Sequence, residues 1–342
     1  MKAVITMQPD LAIPVIASTN GLPTLPDYIQ EQQTGILEQL DEHGAVLFRG
    51  FGCEDADHFS KVIELCGLGQ RCDTKDYDLP RTILANDIYT SSDLPAHVPL
   101  PLHHEKPRSQ NPPHHLYFCC VTPATKGGGT VFANAEVIWL DMPKIIQDKL
   151  MEHGVMYRQF FHGKTLKHTL LKKILTRQGV RSWSEYFGSD EQSLVEEKLR
   201  NNQADWRWVN RDLIISTHLP GVLTHPLTRR VSWFNSSAYL NYYANLLFGD
   251  STILGISQRL ARQLLIFKDM FPMICHYGNG QAFSSWEIAE INRVIQQHAR
   301  VLYWQKGDFM IVDNIKFMHG KEIHEGNRLL YSCMTTRGMS RP

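Results

Sequence analysis

Two histidines and one glutamate carry most of the chemical information in this chain. His103 and Glu105 are separated by one residue, and His319 lies 216 residues after His103 (319 − 103). On a strand, side chains two positions apart project to the same side, as two ligands of one metal require. Two imidazoles and a carboxylate leave three corners of an octahedron open, which suits a non-haem Fe(II) oxygenase. The alternative is a solvated polar loop, because a chain with 16 histidines readily contains a His-x-Glu by chance.

Arg328 follows His319 by nine residues (328 − 319) and begins the apolar stretch 329–331. Burying a guanidinium is costly unless an anion pairs with it. The carboxylate of a co-substrate would supply a bidentate partner. A structural ion pair with an Asp or Glu of the chain is the alternative interpretation.

Three further polar residues are candidates for contact with a small molecule. Thr130 follows three glycines that lack the Lys-Ser/Thr ending of a phosphate loop, so we interpret this segment as a tight turn with the Thr130 hydroxyl facing the pocket. Asn235 is a candidate polar contact for a substrate, although core packing better explains the aromatic residues before it. His104 points away from its two neighbours and is predicted to support the site or to contact the substrate.

Composition excludes several classes of protein. With 35 basic and 35 acidic residues, the chain has no net positive charge that would favour binding to nucleic acid or to an anionic membrane. No stretch approaches the ~20 apolar residues of a membrane span. Seven cysteines without Cys-x-x-Cys spacing argue against a closed disulfide framework. We therefore expect a cytoplasmic protein.

The elements that must position these residues are strands at both ends of the chain. Patterns predict an irregular segment 1–26, a loop-rich segment 71–113, and a mainly helical segment 142–271 with strand-like pieces at 213–217 and 231–235. Helices are predicted at 28–43, 57–65 and 286–298, and strands at 45–51, 114–122, 127–132, 301–304, 309–312 and 329–334. Strands at both ends predict a mainly β fold with helices, a double-stranded β-helix or jelly roll. We expect one domain over residues 1–342, with its core at about 44–137 and 272–336 and a large, mostly helical insertion at about 138–271.

The chain resembles a known enzyme family. The similarity rests on Leu102-His103-His104-Glu105, Pro113, Phe118-Cys119, Pro123-Ala124, Gly127-Gly128-Gly129-Thr130, Trp304-Gln305-Lys306-Gly307-Asp308, Asp313-Asn314 and His319-Gly320. These motifs resemble the taurine dioxygenase-like (TauD/TfdA) family of Fe(II)/2-oxoglutarate-dependent oxygenases. A middle segment resembles the subgroup related to SyrP, an amino-acid hydroxylase of peptide natural-product pathways; it comprises Trp183-Ser184-Glu185-Tyr186-Phe187-Gly188, Trp208, His225-Pro226-Leu227-Thr228 and Trp233-Phe234-Asn235.

The resemblance implies a role for each matching position. It makes His103, Glu105 and His319 the iron ligands, and it places the distal carboxylate of 2-oxoglutarate on Arg328 and Thr130. Many members have a second arginine where this chain has Ser332, so the partner of the other carboxylate, or of an anionic substrate, stays open. Members usually have Asn at position 104 and often Arg at position 321, where this chain has His104 and Lys321.

The implied reaction consumes 2-oxoglutarate and O2, releases succinate and CO2, and oxidises a substrate C–H bond. We expect hydroxylation of an amino acid or amino-acid-like molecule, free or tethered to a carrier protein. Oxidation of a small sulfonate, carboxylate or betaine, and desaturation or cyclisation, are the neighbouring alternatives. Halogenation is disfavoured because Glu105 takes the corner that a halide needs. A jelly-roll binding protein without turnover is the alternative of another class.

Two segments are predicted to flank the mouth of the iron site as lids. One is the loop 73–101, and the other is the region 164–200, which carries a cluster of basic residues, namely Lys164, Lys167, Lys172, Lys173, Arg177 and Arg181. Lids of this kind exclude water before oxidation begins. The basic cluster could also meet an acidic carrier domain, and a solvated helix face is the alternative.

Overall fold

A computed structural model describes residues 3–18, 23–53, 55–72, 81–85, 87–165, 182–242 and 272–336. The chain divides into two compact units. The first consists of Met1–Leu140, Thr224–Ser232 and Ile295–Pro342. The second consists of Asp141–Leu223 and Trp233–Val294. The expectation of one oxygenase domain stays a prediction.

The described strands follow one another from the N-terminus to residue 335. They are β1 Val4–Gln8, β2 Ile13–Ala17, β3 Ala45–Arg49, β4 Ile83–Ala85, β5 Ile88–Thr90, β6 Leu100–His103, β7 His115–Thr122, β8 Lys126–Gly127, β9 Thr130–Asn134, β10 Val155–Phe161, β11 Asp205–Val209, β12 Asp212–Leu219, β13 Val222–Thr224, β14 Val231–Trp233, β15 Met273–Tyr277, β16 Arg300–Leu302, β17 Phe309–Asp313, β18 Phe317–Lys321, β19 His324–Glu325 and β20 Leu329–Thr335. The described helices are α1 Leu25–His43, α2 Ala56–Cys66, α3 Ala135–Asp141, α4 Lys144–His153, α5 Trp183–Phe187, α6 Gln192–Asn201 and α7 Ser285–Gln297.

Two sheets build the first unit. The larger has the strand order β1-β2-β3-β17-β7-β20-β5-β4, and the smaller has the order β16-β9-β18-β6. Buried apolar side chains from both sheets form one cluster, with Phe118 and Met310 from the larger sheet and Phe132 and Phe317 from the smaller. This is the double-stranded β-helix that the strand pattern predicts, since strands far apart in sequence pair within each sheet.

Helices α1 and α2 cover the other face of the larger sheet. Ile29 and Leu40 from α1 and Phe59 from α2 join a buried cluster with Phe48 and Phe309 of the sheet. The first helix ends at Gly44, which has φ of 78° and donates its N–H to the carbonyl of Leu40 at 2.7 Å. A left-handed conformation at this position favours glycine, so the sequence predicted this end correctly.

One prediction of secondary structure is wrong, and a second is incomplete. The N-terminal segment, expected to be irregular, contains the antiparallel pair β1–β2, and β2 runs parallel to β3 at the side of the larger sheet. In the region 138–271, expected to be mostly helical, the two predicted strand-like pieces are found as parts of β12 and β14, and β10 and β11 are further strands, which form the sheet β11-β12-β10-β15 with β12 and β15. Residues 166–181 and 243–271 lie outside the described residues, so the mostly helical insertion stays a prediction. Helix α6 packs on this sheet through Val195 and Leu199, which contact a cluster that includes Phe161 and Leu213.

Parts of the predicted lids lie outside the described residues. These parts are 73–80 and 86 in the first segment and 166–181 in the second, which includes Lys167, Lys172, Lys173, Arg177 and Arg181. Among the described helices, none is long and apolar enough to cross a membrane.

Candidate metal centre

Neighbouring strands of the smaller sheet place the two histidines side by side. His103 ends β6 and His319 lies in the middle of β18, where the two residues are direct cross-strand partners with ring centroids 4.4 Å apart. Glu105 lies in the loop after β6, and not on the strand itself as the one-residue spacing suggests. One ligand atom from each of His103, Glu105 and His319 lies within 4.8 Å of the others, and all three residues are buried. The structure therefore brings together the three residues that the spacing singled out.

The surroundings of His319 are closely packed. It is buried at 5% exposure, and its ring lies 5.6 Å from that of Phe118. The adjacent Gly320 is necessary for this arrangement, because a Cβ at that position would lie 2.6 Å from the carbonyl oxygen of Leu100 in β6. A side chain there would push β6, and with it His103, away from β18.

A backbone carbonyl orients the imidazole of His103. Its Nδ1–H donates to the Pro101 carbonyl at 2.8 Å, which leaves the Nε2 lone pair facing Glu105 at 4.0 Å. Burial, followed by the charge of His319, lowers the pKa of His103 to about 3. A neutral imidazole with its other nitrogen hydrogen-bonded is the form that binds a metal.

The carboxylate of Glu105 is ionised although it is buried. Burial acts to raise its pKa, but the guanidinium of Arg81 and the imidazole of His319 outweigh burial and lower the pKa below its usual range. Arg81 Nη2 contacts Glu105 Oε1, and His319 Nε2 lies 3.4 Å from the same oxygen. Sequence reasoning missed Arg81, because no spacing relates a single arginine in a loop to the ligands.

Asn314 holds the backbone on which Glu105 is mounted. Its side-chain oxygen accepts from Glu105 N at 2.9 Å, and its amide nitrogen donates to Glu105 O at 3.0 Å and to Pro113 O at 2.8 Å. His104 Nδ1 donates to the carbonyl of Asn314 at 2.6 Å. These contacts fix the loop after β6 to the turn between β17 and β18, so we interpret His104 as supporting the site and not as contacting a substrate. The role of Asn314 was also missed, although the Asp313-Asn314 motif carried the signal.

Asp313 stabilises the same turn from the other side. One of its oxygens accepts from the backbone N–H groups of Ile315 and Lys316, and the other lies 2.7 Å from His225 Nε2. Burial acts to raise the pKa of Asp313, but the hydrogen bond and charge of His225 outweigh it and lower the pKa. This explains His225, whose part in the resemblance had no assigned role.

Arg328, Thr130 and Trp304 form a second polar cluster in the same unit. Arg328 Nε donates to Gly128 O at 2.7 Å and Nη2 donates to the Thr130 hydroxyl at 3.3 Å, while Trp304 Nε1 donates to that hydroxyl at 2.7 Å. Gly127 and Gly128 have φ of 66° and 69°, which confirms the tight turn before Thr130. The turn brings the Gly128 carbonyl to the guanidinium.

A buried lysine lies near the partly buried Arg328. Lys321 is 5% exposed and donates to the carbonyls of Leu94 and Pro95, both at 3.3 Å. Burial, and then the charge of Arg328, lowers the pKa of Lys321 to about 8. Among the described residues, neither Lys321 nor Arg328 has a carboxylate within ion-pair distance. Two neighbouring cations, one buried and one partly buried, favour an anion as ligand.

The remaining two site candidates have hydrogen bonds that give them structural roles. Asn235 is fully buried, donates to Gly221 O at 2.7 Å, and accepts from the backbone N–H and hydroxyl of Ser237. Its amide thus holds a turn of the second unit, which argues against the predicted substrate contact. Ser332, on β20, donates weakly to Tyr89 O at 3.5 Å and lies opposite Phe118 of β7.

The family is shown by comparison with known proteins. A family model for the taurine catabolism dioxygenase TauD, TfdA family matches residues 16–334. The chain belongs to this family. It is an Fe(II)/2-oxoglutarate-dependent dioxygenase, with Fe(II) as its metal and with 2-oxoglutarate and O2 as co-substrates. The family and enzyme class that the motifs predicted are confirmed, whereas the subgroup related to SyrP stays a prediction.

Individual relatives cover most of the chain. Dapdiamide synthesis protein DdaC of Enterobacter agglomerans is 29% identical over 296 residues, which are 86% of this chain and 82% of the relative. A clavaminate synthase-like protein of Arabidopsis thaliana is 24% identical over 324 residues, which are 92% of this chain and 87% of the relative.

Solved structures share the fold. AAD-2, crystallised with Mn(II) and N-oxalylglycine, has a TM-score of 0.55 and 12% identity, with 100% of this chain and 99% of that chain covered. PvcB, an Fe, alpha-ketoglutarate dependent oxygenase from an isonitrile synthetic pathway, has a TM-score of 0.53 and 13% identity, with 100% and 99% covered.

The donor set fits the metal of the family. Two imidazoles and one carboxylate suit Fe(II), and the burial of all three side chains shields such an ion from bulk water. His103, Glu105 and His319 are therefore the candidate ligands of this ion.

Proposed function

We propose that this enzyme hydroxylates an unactivated C–H bond of an amino acid or amino-acid-like substrate, free or carrier-tethered, and releases succinate and CO2. The observation that carries the proposal is the convergence of His103, Glu105 and His319 in a buried site. Because Glu105 supplies a third protein ligand, hydroxylation is favoured over halogenation. The 29% identity to a dapdiamide synthesis protein supports a small natural-product substrate.

In this proposal His103, Glu105 and His319 hold Fe(II), which when bound supplies the oxidising chemistry from O2 and 2-oxoglutarate. Arg328 binds the distal carboxylate of 2-oxoglutarate with the Thr130 hydroxyl, since both face each other at 3.3 Å. Lys321 adds positive charge to the same region, and its hydrogen bonds hold the segment at Leu94 and Pro95. The remaining contribution of the protein is to place the target carbon and to exclude water.

The first test concerns the metal and co-substrate. Anaerobic addition of Fe(II) and 2-oxoglutarate is expected to produce a weak visible charge-transfer band, and Glu105→Gln and His319→Ala are expected to abolish it. The partly exposed His58 on α2 provides a matched control, His58→Ala, which is expected to keep the band. A band of full strength in both site variants would remove the ligand assignment.

The second test concerns the substrate. Amino acids, and amino acids loaded on a carrier domain, are incubated with enzyme, and substrate-dependent succinate formation and product mass are measured. A gain of one oxygen atom supports hydroxylation, whereas a loss of two hydrogens indicates desaturation or cyclisation. Turnover of small sulfonates or betaines, with no turnover of any amino-acid substrate, would replace the proposed substrate class.

A further inference from the structure

Arg81 contacts the proposed ligand Glu105 directly. Its Nη2 bonds to Glu105 Oε1, and the side chains of Arg81 and Glu105 are only 5% and 8% exposed. A buried ion pair of this kind is costly to form, and removal of one partner leaves an uncompensated charge. Its position next to a metal centre therefore calls for a functional explanation.

The oxygen that Arg81 contacts is the one that faces both histidines. Glu105 Oε1 lies 3.4 Å from His319 Nε2 and 4.0 Å from His103 Nε2. A carboxylate oxygen has two lone pairs and can accept from the guanidinium while it presents the other lone pair between the two imidazoles. The contact thus selects one orientation of the Glu105 side chain.

Arg81 is itself held by paired backbone. The next residue, Thr82, donates its N–H to the Thr90 hydroxyl at 2.8 Å, and Thr90 donates its N–H to the Thr82 carbonyl at 3.0 Å. Strand β5, which includes Thr90, pairs with β20 of the larger sheet. The guanidinium is therefore anchored through the larger sheet, whereas the imidazoles come from the smaller sheet.

We propose that Arg81 is a positioning residue of the metal centre, holding the Glu105 carboxylate in the orientation in which it completes the ligand set. The inference rests on the proposed ligand assignment. Partners that orient a metal ligand typically contribute 10–100-fold to metal affinity. The positive charge of Arg81 also repels a divalent cation, and if repulsion dominated, removal of Arg81 would raise the metal affinity. The sign of the change in affinity separates positioning from repulsion.

The test is the dissociation constant for Mn²⁺, measured by calorimetry and by the EPR signal of free Mn²⁺, with no 2-oxoglutarate present. Arg81→Met removes the charge and is expected to raise the dissociation constant by about 10–100-fold. Arg81→Lys keeps a positive charge without the planar fork, so its dissociation constant is expected to lie between those of Arg81→Met and the wild type. Circular dichroism checks that each variant is folded.

Arg49 provides the matched control. It forms a partly buried ion pair with Asp308 at 2.7 Å, at the end of β17 opposite to Asn314. Arg49→Met is expected to lower the melting temperature and to leave the Mn²⁺ dissociation constant unchanged. A general effect of losing an ion pair would change the Mn²⁺ affinity of both variants and would overturn the inference.

The outcomes separate this inference from the proposed function. If the wild type binds Mn²⁺ and folded Arg81→Met binds it equally well or more tightly, the positioning role alone is overturned. Wild type that does not bind Mn²⁺ overturns the ligand assignment and the inference together. If Arg81→Met does not fold, the Arg81→Lys variant is the deciding test. A Mn²⁺ affinity and a Co²⁺ absorption spectrum in Arg81→Lys that are identical to those of the wild type would overturn the positioning role.

Discussion

The Thr130 hydroxyl accepts hydrogen bonds from two donors, the indole of Trp304 at 2.7 Å and the guanidinium of Arg328 at 3.3 Å. One hydroxyl hydrogen is left to donate to a carboxylate oxygen. Thr130 therefore has a structural role and a proposed role in binding 2-oxoglutarate. Substitutions of Arg328 and Trp304 can separate these two roles.

Arg328→Ala is expected to weaken 2-oxoglutarate binding by roughly 2–5 kcal/mol, because it removes one partner of a buried charge-assisted pair. The measurement is an anaerobic titration of the charge-transfer band with 2-oxoglutarate. Arg300→Ala, at an exposed arginine of β16, serves as the control and is expected to leave the titration unchanged. Unchanged affinity in Arg328→Ala would contradict the assignment.

Thr130→Val is expected to weaken 2-oxoglutarate binding less, by about 1–3 kcal/mol, because it removes one hydrogen bond. It also leaves the buried indole of Trp304 without its acceptor, so part of the loss is structural. Trp304→Phe removes the same indole bond and keeps the hydroxyl. We expect Trp304→Phe to weaken 2-oxoglutarate binding less than Thr130→Val does. Equal effects of the two substitutions would show that Thr130 has a structural role only.

At the scale of residues, the candidate ligands could be predicted from the sequence, but the contacts that support them could not. His103, Glu105 and His319 could be singled out by residue type and spacing, and Arg328 because it begins an apolar stretch. Arg81 could not be, since its partnership with Glu105 depends on how a loop returns to the sheet. Asn235 looked available in sequence, but its amide is used by a local turn, which is the usual fate of a buried asparagine.

At the scale of elements, Asn314 joins two segments by hydrogen bonds. These are the turn between β17 and β18 and the loop after β6. Asn314→Asp is expected to lower the free energy of unfolding by at least about 2 kcal/mol, because two buried carbonyls, those of Glu105 and Pro113, lose their donor. Urea denaturation and Mn²⁺ titration are the measurements, and Mn²⁺ affinity is expected to fall as well.

Asn134→Ala is the control for this experiment. Asn134 caps α3 by accepting from Glu136 N at 2.9 Å, so its loss is expected to cost about 1 kcal/mol of stability with no change in Mn²⁺ affinity. If Asn314→Asp keeps wild-type Mn²⁺ affinity, the idea that this residue positions Glu105 is wrong.

Asp313 gives the same turn a dependence on pH. Its pKa in the folded state is lower than in the unfolded state, where it is about 3.9. The unfolded chain therefore takes up the proton first as the pH falls, and the stability that Asp313 contributes is complete above about pH 4 and is lost below it. Asp313→Asn is expected to lower the free energy of unfolding at pH 7, with a difference from wild type that narrows below about pH 4.

Urea denaturation at a series of pH values between about 3.5 and 7 measures this difference. The exposed Asp10 provides the control, and Asp10→Asn is expected to leave the unfolding free energy almost unchanged throughout. A difference for Asp313→Asn that stays constant to the lowest pH would contradict the assigned role of the Asp313–His225 pair.

The elements themselves were predictable where a local signal marks them. Gly44 after α1 and Gly127-Gly128 before β9 have the left-handed backbone that glycine permits, so these boundaries could be read directly. The strand Val155–Phe161 could not, because it is buried at most positions and shows no alternation, and its partner β12 lies more than fifty residues away. A buried strand and a buried helix segment have similar composition, and only long-range pairing distinguishes them.

At the scale of the whole molecule, the cysteines are distributed as core residues. Six of the seven are buried, and only Cys72 is partly accessible. Burial raises the pKa of Cys120 to about 12 and that of Cys333 to about 11. Thiolate is the reactive form, so these thiols are expected to be inert in the native state.

Reaction with a thiol reagent at neutral pH is therefore expected to modify no more than one cysteine rapidly in the native enzyme and all seven after unfolding in urea. Cys72→Ser is the control and is expected to remove the rapid reaction. Rapid modification of several thiols in the folded protein would show that the core opens more readily than its burial indicates.

The pairing of β6 with β18 has a consequence for local unfolding. β6 is the last strand of its sheet, four residues long, and its register with β18 is irregular beyond His319. A short edge strand of this kind opens at low free-energy cost. An ion bound to His103 and His319 at once would act as a cross-link between the two strands, and the free energy of opening would rise with the logarithm of the ion concentration once that exceeds the dissociation constant. The strand that carries the first ligand would then be protected from hydrogen exchange and proteolysis by its own metal, so that enzyme which has lost its iron becomes the form most exposed to degradation.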